Sequence, residues 1–443
     1  MLEERFRKGV DYANSEFHRL EVGTVQKEVV IGVIDSVDRE NRRLEEEIGV
    51  IRGEEEVVRI KQLEAAAPLE EEFLQTKTIG LQEVRKNLQA WVPSMIAEVA
   101  ELREKAITEV TREQAEEEMR RARDRGILTE LIPGKAVFTR KAGTGKYKTR
   151  AVACGNLMTE RPSEDLYASG VDSTQVRSLI RVGALRRWEA MVLDIKTAFL
   201  NAPTSEQELI FVIPPRVLVD AGVVEEGRVW KVRSALYGLV TAPRDWSNFR
   251  DSTLPELKEE VEIDGKKETL VLRPLGDANL WKVEKLGSSE VVGYMAVYVD
   301  DIMVVASKPV TEAVAKMVRS QWSTSEPEYA SSESMRFLGM ELEKVKDGFV
   351  LHQRSYIQEL LGRHGVEKGC SYVRNPEEES SDPPTPKRVK EAQGLTGELL
   401  WLSGKTRPDI CVAVQKMAQS CLKKPCYAVK LGFAILAYLH EHS

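Results

Sequence analysis

GYMAVYVDDIMVVAS (residues 293–307) places two adjacent carboxylates, Asp300 and Asp301, between two apolar runs that read as buried strand. Val and Met leave water readily, whereas an ionised Asp is costly to bury without a partner. The bland reading is a hairpin tip, since Asp is a common turn residue. A second feature weighs against it. In MVLDIKTAFL (residues 191–200) a lone Asp194 again sits where an apolar strand ends. If the two segments are neighbouring strands, three carboxylates converge at one sheet edge. Their mutual repulsion raises their pKa values unless cations sit between them. Hard oxygen ligands of this kind suit magnesium, which takes few carboxylates plus substrate phosphates. Two such ions about 3.5–4 Å apart clamp the attacking and leaving oxygens of an in-line displacement at phosphorus.

Outward from these strands, the chain is mostly α+β in texture. Helices are expected at STQVRSLIRVGALRRW and APRDWSNFRDSTL, and strands at EAMVLDI, ELIFVIPP, RVWKVR and ANLWKVEK. KAVFTRK and YKTRAVACG flank a Gly-containing turn and read as a hairpin, as does RFLGMELEKVKDGFVLHQ, which leads into the helix RSYIQELLGRHG. Helices and antiparallel strands in this order predict an α+β layer and not a doubly wound sheet. AGTGKYKT is not a phosphate loop, because the first Gly of that motif would fall on Arg140 and its last position on Tyr147.

The flanks are plainer. Residues 1–130 are rich in Glu and Arg and carry −9 of the total −7, leaving +2 for the remainder, while residues 131–150 alone carry +6. That asymmetry can mark an electrostatic footprint. A helix is expected to start at Pro93, with Met95, Val99 and Leu102 on one face, and TREQAEEEMRRARDRG reads as a helix that is polar all round. NPEEESSDPPTPK (375–387) reads as a linker, followed by amphipathic helices of a smaller unit. The expected organisation is an acidic, largely helical extension over 1–92, the main body over 93–373, a linker over 374–390 and a helical segment over 391–443. The five cysteines show no CxxC pairing, so a zinc site or disulfide framework is not expected. No apolar run approaches the roughly 20 residues of a membrane span, so no membrane partner is expected.

VLDIKTAFLNAP, SALYGLVTAPRDW, YVDDIMVVAS and FLGMELEK, with YKTRAVACGN upstream and TRPDI downstream, resemble the reverse transcriptase region of a copia-type LTR-retrotransposon polyprotein. The resemblance runs in order from about residue 95 to the end. It implies the right-hand polymerase fold of fingers, palm and partial thumb, and an RNA-directed DNA polymerase that joins dNTPs to a primer 3′-OH on an RNA or DNA template. Asp194 and Asp300 would each coordinate both magnesium ions, manganese being possible in their place, and Asp301 would complete the triad. Lys148 and Arg150 would hold the triphosphate, Arg by its bidentate fork and Lys as a point charge. Phe199 would stack under the incoming sugar and exclude a ribose 2′-OH. Phe337, Leu338, Gly339 and Met340 would form the hairpin that grips the primer end. One departure stands out: family members usually carry LYGLKQAPRAW, whereas Val240 and Thr241 here replace the Lys and the nucleotide-facing Gln. Thr241 would therefore touch the nucleotide less well. With no RNase H-like acidic cluster in sight, this departure predicts a fragment or a degenerate copy, and it opens an alternative: a catalytically inactive remnant that at most binds template–primer. Such a protein is expected in the cytoplasm, in virus-like particles, with nuclear entry.

Overall fold

The computed structural model describes residues 77–140, 145–159, 168, 170–377 and 384–442. The acidic extension up to residue 76 and the centre of the linker, 378–383, lie outside the described residues. The first part of the chain runs β1 (Lys77–Ile79), α1 (Leu81–Lys86), α2 (Leu88–Lys105), β2 (Ile107–Thr111), α3 (Arg112–Arg123), β3 (Leu128–Arg140) and β4 (Tyr147–Ala153). Next come α4 (Ser173–Arg186), β5 (Glu189–Asp194), β6 (Glu208–Ile213), β7 (Arg228–Val232) and α5 (Ala242–Thr253). A meander of β8 (Lys258–Ile263), β9 (Lys266–Leu275), β10 (Asp277–Lys285), β11 (Val291–Tyr298) and β12 (Asp301–Ala306) leads to α6 (Lys308–Gln321) and β13 (Glu328–Tyr329). Then follow β14 (Met335–Phe337), β15 (Met340–Val345), β16 (Gly348–His352) and the helices α7 (Arg354–His364), α8 (Pro386–Lys405), α9 (Cys411–Ser420) and α10 (Pro425–Glu441).

The strands form three sheets, and the α+β class is as expected. The first is ordered β1-β3-β6-β7-β2 with β4 added to β3; the second is β13-β5-β12-β11-β10-β9-β8; the third is β14-β15-β16. The first half of β3 pairs in parallel with β6, and from Gly134 its second half pairs antiparallel with β4. All pairs in the second sheet are antiparallel.

β5 and β12 are apolar on both faces because both faces are covered. Met191, Leu193, Ile302 and Val304 share a core with Val310, Val314, Met317 and Val318 of α6. Their alternates Ala190, Val192, Met303 and Val305 pack instead with Val176, Leu179 and Ile180 of α4. Each fully buried Leu, Val or Met contributes about 1.5–3 kcal/mol, so this sandwich fixes the strand ends in place. Helix α4 is started by a capping box, Asp172 Oδ1 accepting from the backbone N–H groups of Thr174 and Gln175. The helices α7 to α10 enclose a separate core around Leu360, Leu395, Leu399, Leu431 and Ile435.

Three expectations need correction. Helix α2 starts at Leu88 and Pro93 lies inside it, because Trp91, Met95, Val99 and Leu102 form one buried stripe whose packing outweighs the hydrogen bond lost at Pro93. A boundary at residue 92 therefore cuts a helix, and β1 already belongs to the first sheet through its pairing with β3. Helix α3 is not polar all round: Ala115, Met119 and Ala122 are buried, the first two against Val110, Phe211 and Val229, a stripe too small to register among so many charges. Helix α8 begins at Pro386 with Thr385 as its N-cap, Oγ1 accepting from Arg388 N–H, so the linker does not extend to 390. Among the described residues, no helix is long and apolar enough to cross a membrane.

Candidate active site

Asp194 is the last residue of β5 and lies directly opposite Asp301, the first residue of β12. Directly opposed residues of an antiparallel pair project to one face. Asp300 occupies the two-residue turn between β11 and β12. One ligand atom from each of Asp194, Asp300 and Asp301 lies within 4.8 Å of the others, so the three carboxylates expected to converge do so, and the cluster could hold a metal ion. The backbone is pinned around them. Ser325 Oγ accepts from Asp194 N–H at 2.9 Å while Ser325 N–H donates to Asp194 O at 2.8 Å, and Ile195 N–H donates to Asp300 O at 2.9 Å.

Charge crowding is visible in the titration of the pair. Burial, then the charges of Asp300, Asp194 and Glu328, push the Asp301 carboxyl up to about 6. Burial and Asp300 also raise Asp194, opposed by Lys148, Lys196 and Arg150. Lys196 follows β5, whereas Lys148 and Arg150 come from the first sheet. On β4, Lys148 and Arg150 are exposed and alternate with the buried Thr149 and Ala151, which face α2. Thr149 Oγ1 lies 2.6 Å from Ser94 Oγ, and Glu98 Oε1 accepts from Ala151 N–H at 2.8 Å, so α2 holds the strand from behind. Burial leaves Glu98 above the usual carboxylate range.

Aromatic rings line the same cleft. The Arg150 guanidinium sits 5.4 Å above the Tyr237 ring, and Tyr237 meets Phe199 edge-on at 5.5 Å. Burial pushes the Tyr237 hydroxyl up to about 12, so it stays protonated. Phe199 rides on a short 3₁₀ turn, Ala198–Asn201, preceded by Thr197 in the left-handed region at φ 51°. Lys105 Nζ donates to Thr197 Oγ1 at 2.9 Å, which fixes the start of that turn. Phe199, Pro243, Trp246, Tyr298 and Val299 line a pocket of about 180 Å³ beside the acidic turn.

The structure corrects one expectation about the site. Thr241 is fully buried at the N-terminus of α5, its Oγ1 without a hydrogen-bond partner, so its side chain does not face the cleft. Leu239, Ala242 and Trp246 around it are all core residues, and Thr241 is drawn in with them. In the FLGM hairpin, Phe337 and Met340 form the closing pair and are buried, leaving Leu338 and Gly339 at the tip, with φ of 52° and 71°. Gly339 is required there twice over: a Cβ would lie 2.6 Å from Trp401 Cζ2, in a backbone conformation that side chains avoid. A second pocket, of about 580 Å³, joins Asp301, Arg336, Leu338, Gly339, Trp401 and Lys405. Ser325, Tyr237, Trp246 and Trp401 are site residues that the sequence reading misses. Tyr237 and Trp246 stand inside the quoted SALYGLVTAPRDW block and could have been found there; Ser325 carries no local signal.

A family model described as reverse transcriptase (RNA-dependent DNA polymerase) matches residues 128–376. The retrovirus-related Pol polyprotein from transposon RE1 of Arabidopsis thaliana is 30% identical over 304 residues, 65% of this chain and 19% of that protein. The corresponding polyprotein from transposon TNT 1-94 of Nicotiana tabacum is 25% identical over 283 residues, 61% of this chain and 20% of that one. The chain thus spans about a fifth of the length of these relatives. Among solved structures, a foamy viral protease-reverse transcriptase in complex with double-stranded DNA covers 66% of this chain and 42% of its own at 12% identity, with a TM-score of 0.31. The segment that matches the family holds all three clustered carboxylates, the basic strand β4 and the FLGM hairpin, and the chain belongs to the reverse transcriptase (RNA-dependent DNA polymerase) family.

Proposed function

We propose that this chain is the RNA-directed DNA polymerase portion of a copia-type retrotransposon Pol polyprotein, extending a primer 3′-OH with dNTPs on an RNA or DNA template. The observation that carries this reading is the meeting of Asp194, Asp300 and Asp301 within 4.8 Å. The donor set fits a divalent cation, since all three are hard carboxylate oxygens and Asp301 is held near 6 by burial and then by its acidic neighbours. Bound there, a pair of magnesium ions, or manganese in their place, would neutralise the charge that develops on the attacking and leaving oxygens.

The chain's own residues supply the positioning. Asp194, Asp300 and Asp301 would hold the ions. Lys148 and Arg150 receive the triphosphate, with Arg150 kept in place by its stacking on Tyr237. Phe199, braced by Tyr237, lies under the sugar. Leu338 and Gly339 meet the primer end. Primer extension with the full chain and magnesium tests the reading: Asp300→Asn combined with Asp301→Asn abolishes incorporation, and extension that survives both substitutions sinks the metal–carboxylate mechanism.

One observation favours a second reading, a silent remnant that retains the fold. Thr241 stands where the resemblance implies a nucleotide-facing Gln, and its hydroxyl is buried and unpartnered. Salt-sensitive binding of a primer–template duplex without any incorporation selects that reading.

A further inference from the structure

We propose that Trp246 is a positioning residue for the acidic turn: its indole N–H fixes the peptide between Val299 and Asp300 and with it the direction of the Asp300 carboxylate. The proposal deepens the polymerase reading and rests on it. β11 and β12 are joined by two residues, Tyr298 pairing with Asp301 across the turn. Val299 has φ 58°, whereas Asp300 is not among the residues of positive φ. A positive φ at the first central position alone is the pattern of a type II′ turn, where glycine is the usual occupant. A β-branched residue there is an outlier and persists only where its surroundings over-determine it.

The competing turn with the same strand pairing is type I′, reached by rotating the central peptide. An Asp in its second position accepts the left-handed conformation, so the dipeptide Val-Asp does not itself choose between the two. The surroundings do. Trp246 Nε1–H donates to Val299 O at 2.7 Å. Ile195 N–H donates to Asp300 O at 2.9 Å, holding the following peptide from β5. Trp246 is 1% exposed and wedged against Trp322 at 5.5 Å, so its indole N–H is a buried donor, and Val299 O is its acceptor. Rotation of the central peptide would orphan a buried donor, a state that folded proteins avoid. In the pinned orientation Asp300 meets Asp194 and Asp301.

Four full-length proteins test this: the parent, Trp246→Phe, Val299→Gly and the double variant. Phe keeps an aromatic ring beside Trp322 and Phe249 but removes the N–H together with part of the bicyclic ring, a packing loss common to both residue-299 backgrounds; Gly makes the type II′ turn self-sufficient. Manganese binding is measured by titration calorimetry, and thermal unfolding in chelator. Trp246→Phe is expected to weaken manganese binding about tenfold with Val299 present, and less than about twofold with Gly in its place. In chelator it lowers the unfolding midpoint by about 2–4 °C with Val299 present, and by a clearly smaller amount with Gly in its place, the remainder being the packing loss. Equal losses in both backgrounds, or none in either, overturn the proposal, because a purely packing role would be indifferent to residue 299. A parent protein that binds no manganese refutes the polymerase reading, and the chelator cycle alone then decides the role of Trp246.

Discussion

Replacing Asp301 by Asn should stabilise the metal-free protein, by an amount that follows from the burial of this carboxylate and its crowding by the other two. The Asp301 carboxyl titrates near 6 in the folded chain against an ordinary value of 3.8. The folded state therefore holds a proton that the unfolded state has released, and stability falls as pH rises between these values. The contribution is fully present below about pH 4 and lost above about pH 6. At 1.36 kcal/mol per pH unit the loss is about 3 kcal/mol, and solvent screening of this half-exposed side chain reduces it to roughly 1–2 kcal/mol. Asn keeps the shape and cannot ionise. In chelator at pH 7.5 the variant should unfold roughly 1–3 °C above the parent, and at pH 4 the two midpoints should coincide. Magnesium reverses the order, since a ligand at a hundred times its Kd adds about 2.7 kcal/mol to the parent, while the variant has lost a donor. Scanning calorimetry from pH 4 to 8, with and without magnesium, reads all of this. Coincident midpoints at pH 7.5, or a difference that does not change with pH, would show that the carboxylates do not repel one another in the folded chain.

Three further outcomes are expected. Ser325→Ala removes the acceptor of Asp194 N–H, costing about 1 kcal/mol in urea unfolding and lowering manganese affinity severalfold by titration calorimetry. Asp172→Ala deletes the cap of α4 and costs about 1 kcal/mol, read in urea, without altering manganese binding. Gly183→Ala gains up to about 1 kcal/mol of helix propensity, but the new Cβ would lie 2.5 Å from Val305 Cγ1, a buried, stiff side chain. Overpacking of that kind costs about 1–3 kcal/mol, so the net effect is a loss, and a rise in unfolding midpoint would mean that α4 can lift off the sheet.

What sequence reasoning recovers and what it loses have different physical causes. Asp194, Asp300 and Asp301 stand out because an ionised residue in an apolar run violates the burial rule, and that violation is local. The central strands are equally legible from their continuous apolar character. Hairpin β8–β9 escapes notice because KEEVEI hides its apolar alternation behind Glu on an edge strand, and α2 is misplaced at its start because Pro93 carries a local stop signal that tertiary packing overrides. The partners that aim the site are lost for a deeper reason. Ser325 and Trp246 act on backbone atoms, 131 and 53 residues away in the chain, and a backbone carbonyl has no letter in the sequence. Val299 joins the two cases. Its letter asks for extended strand, its φ of 58° refuses, and the conflict falls at the acidic turn itself. Local preference and global fold agree almost everywhere else in this sheet. A β-branched residue held at positive φ in the turn that carries Asp300 is what a fold produces when the direction of one carboxylate outweighs the comfort of the residue before it.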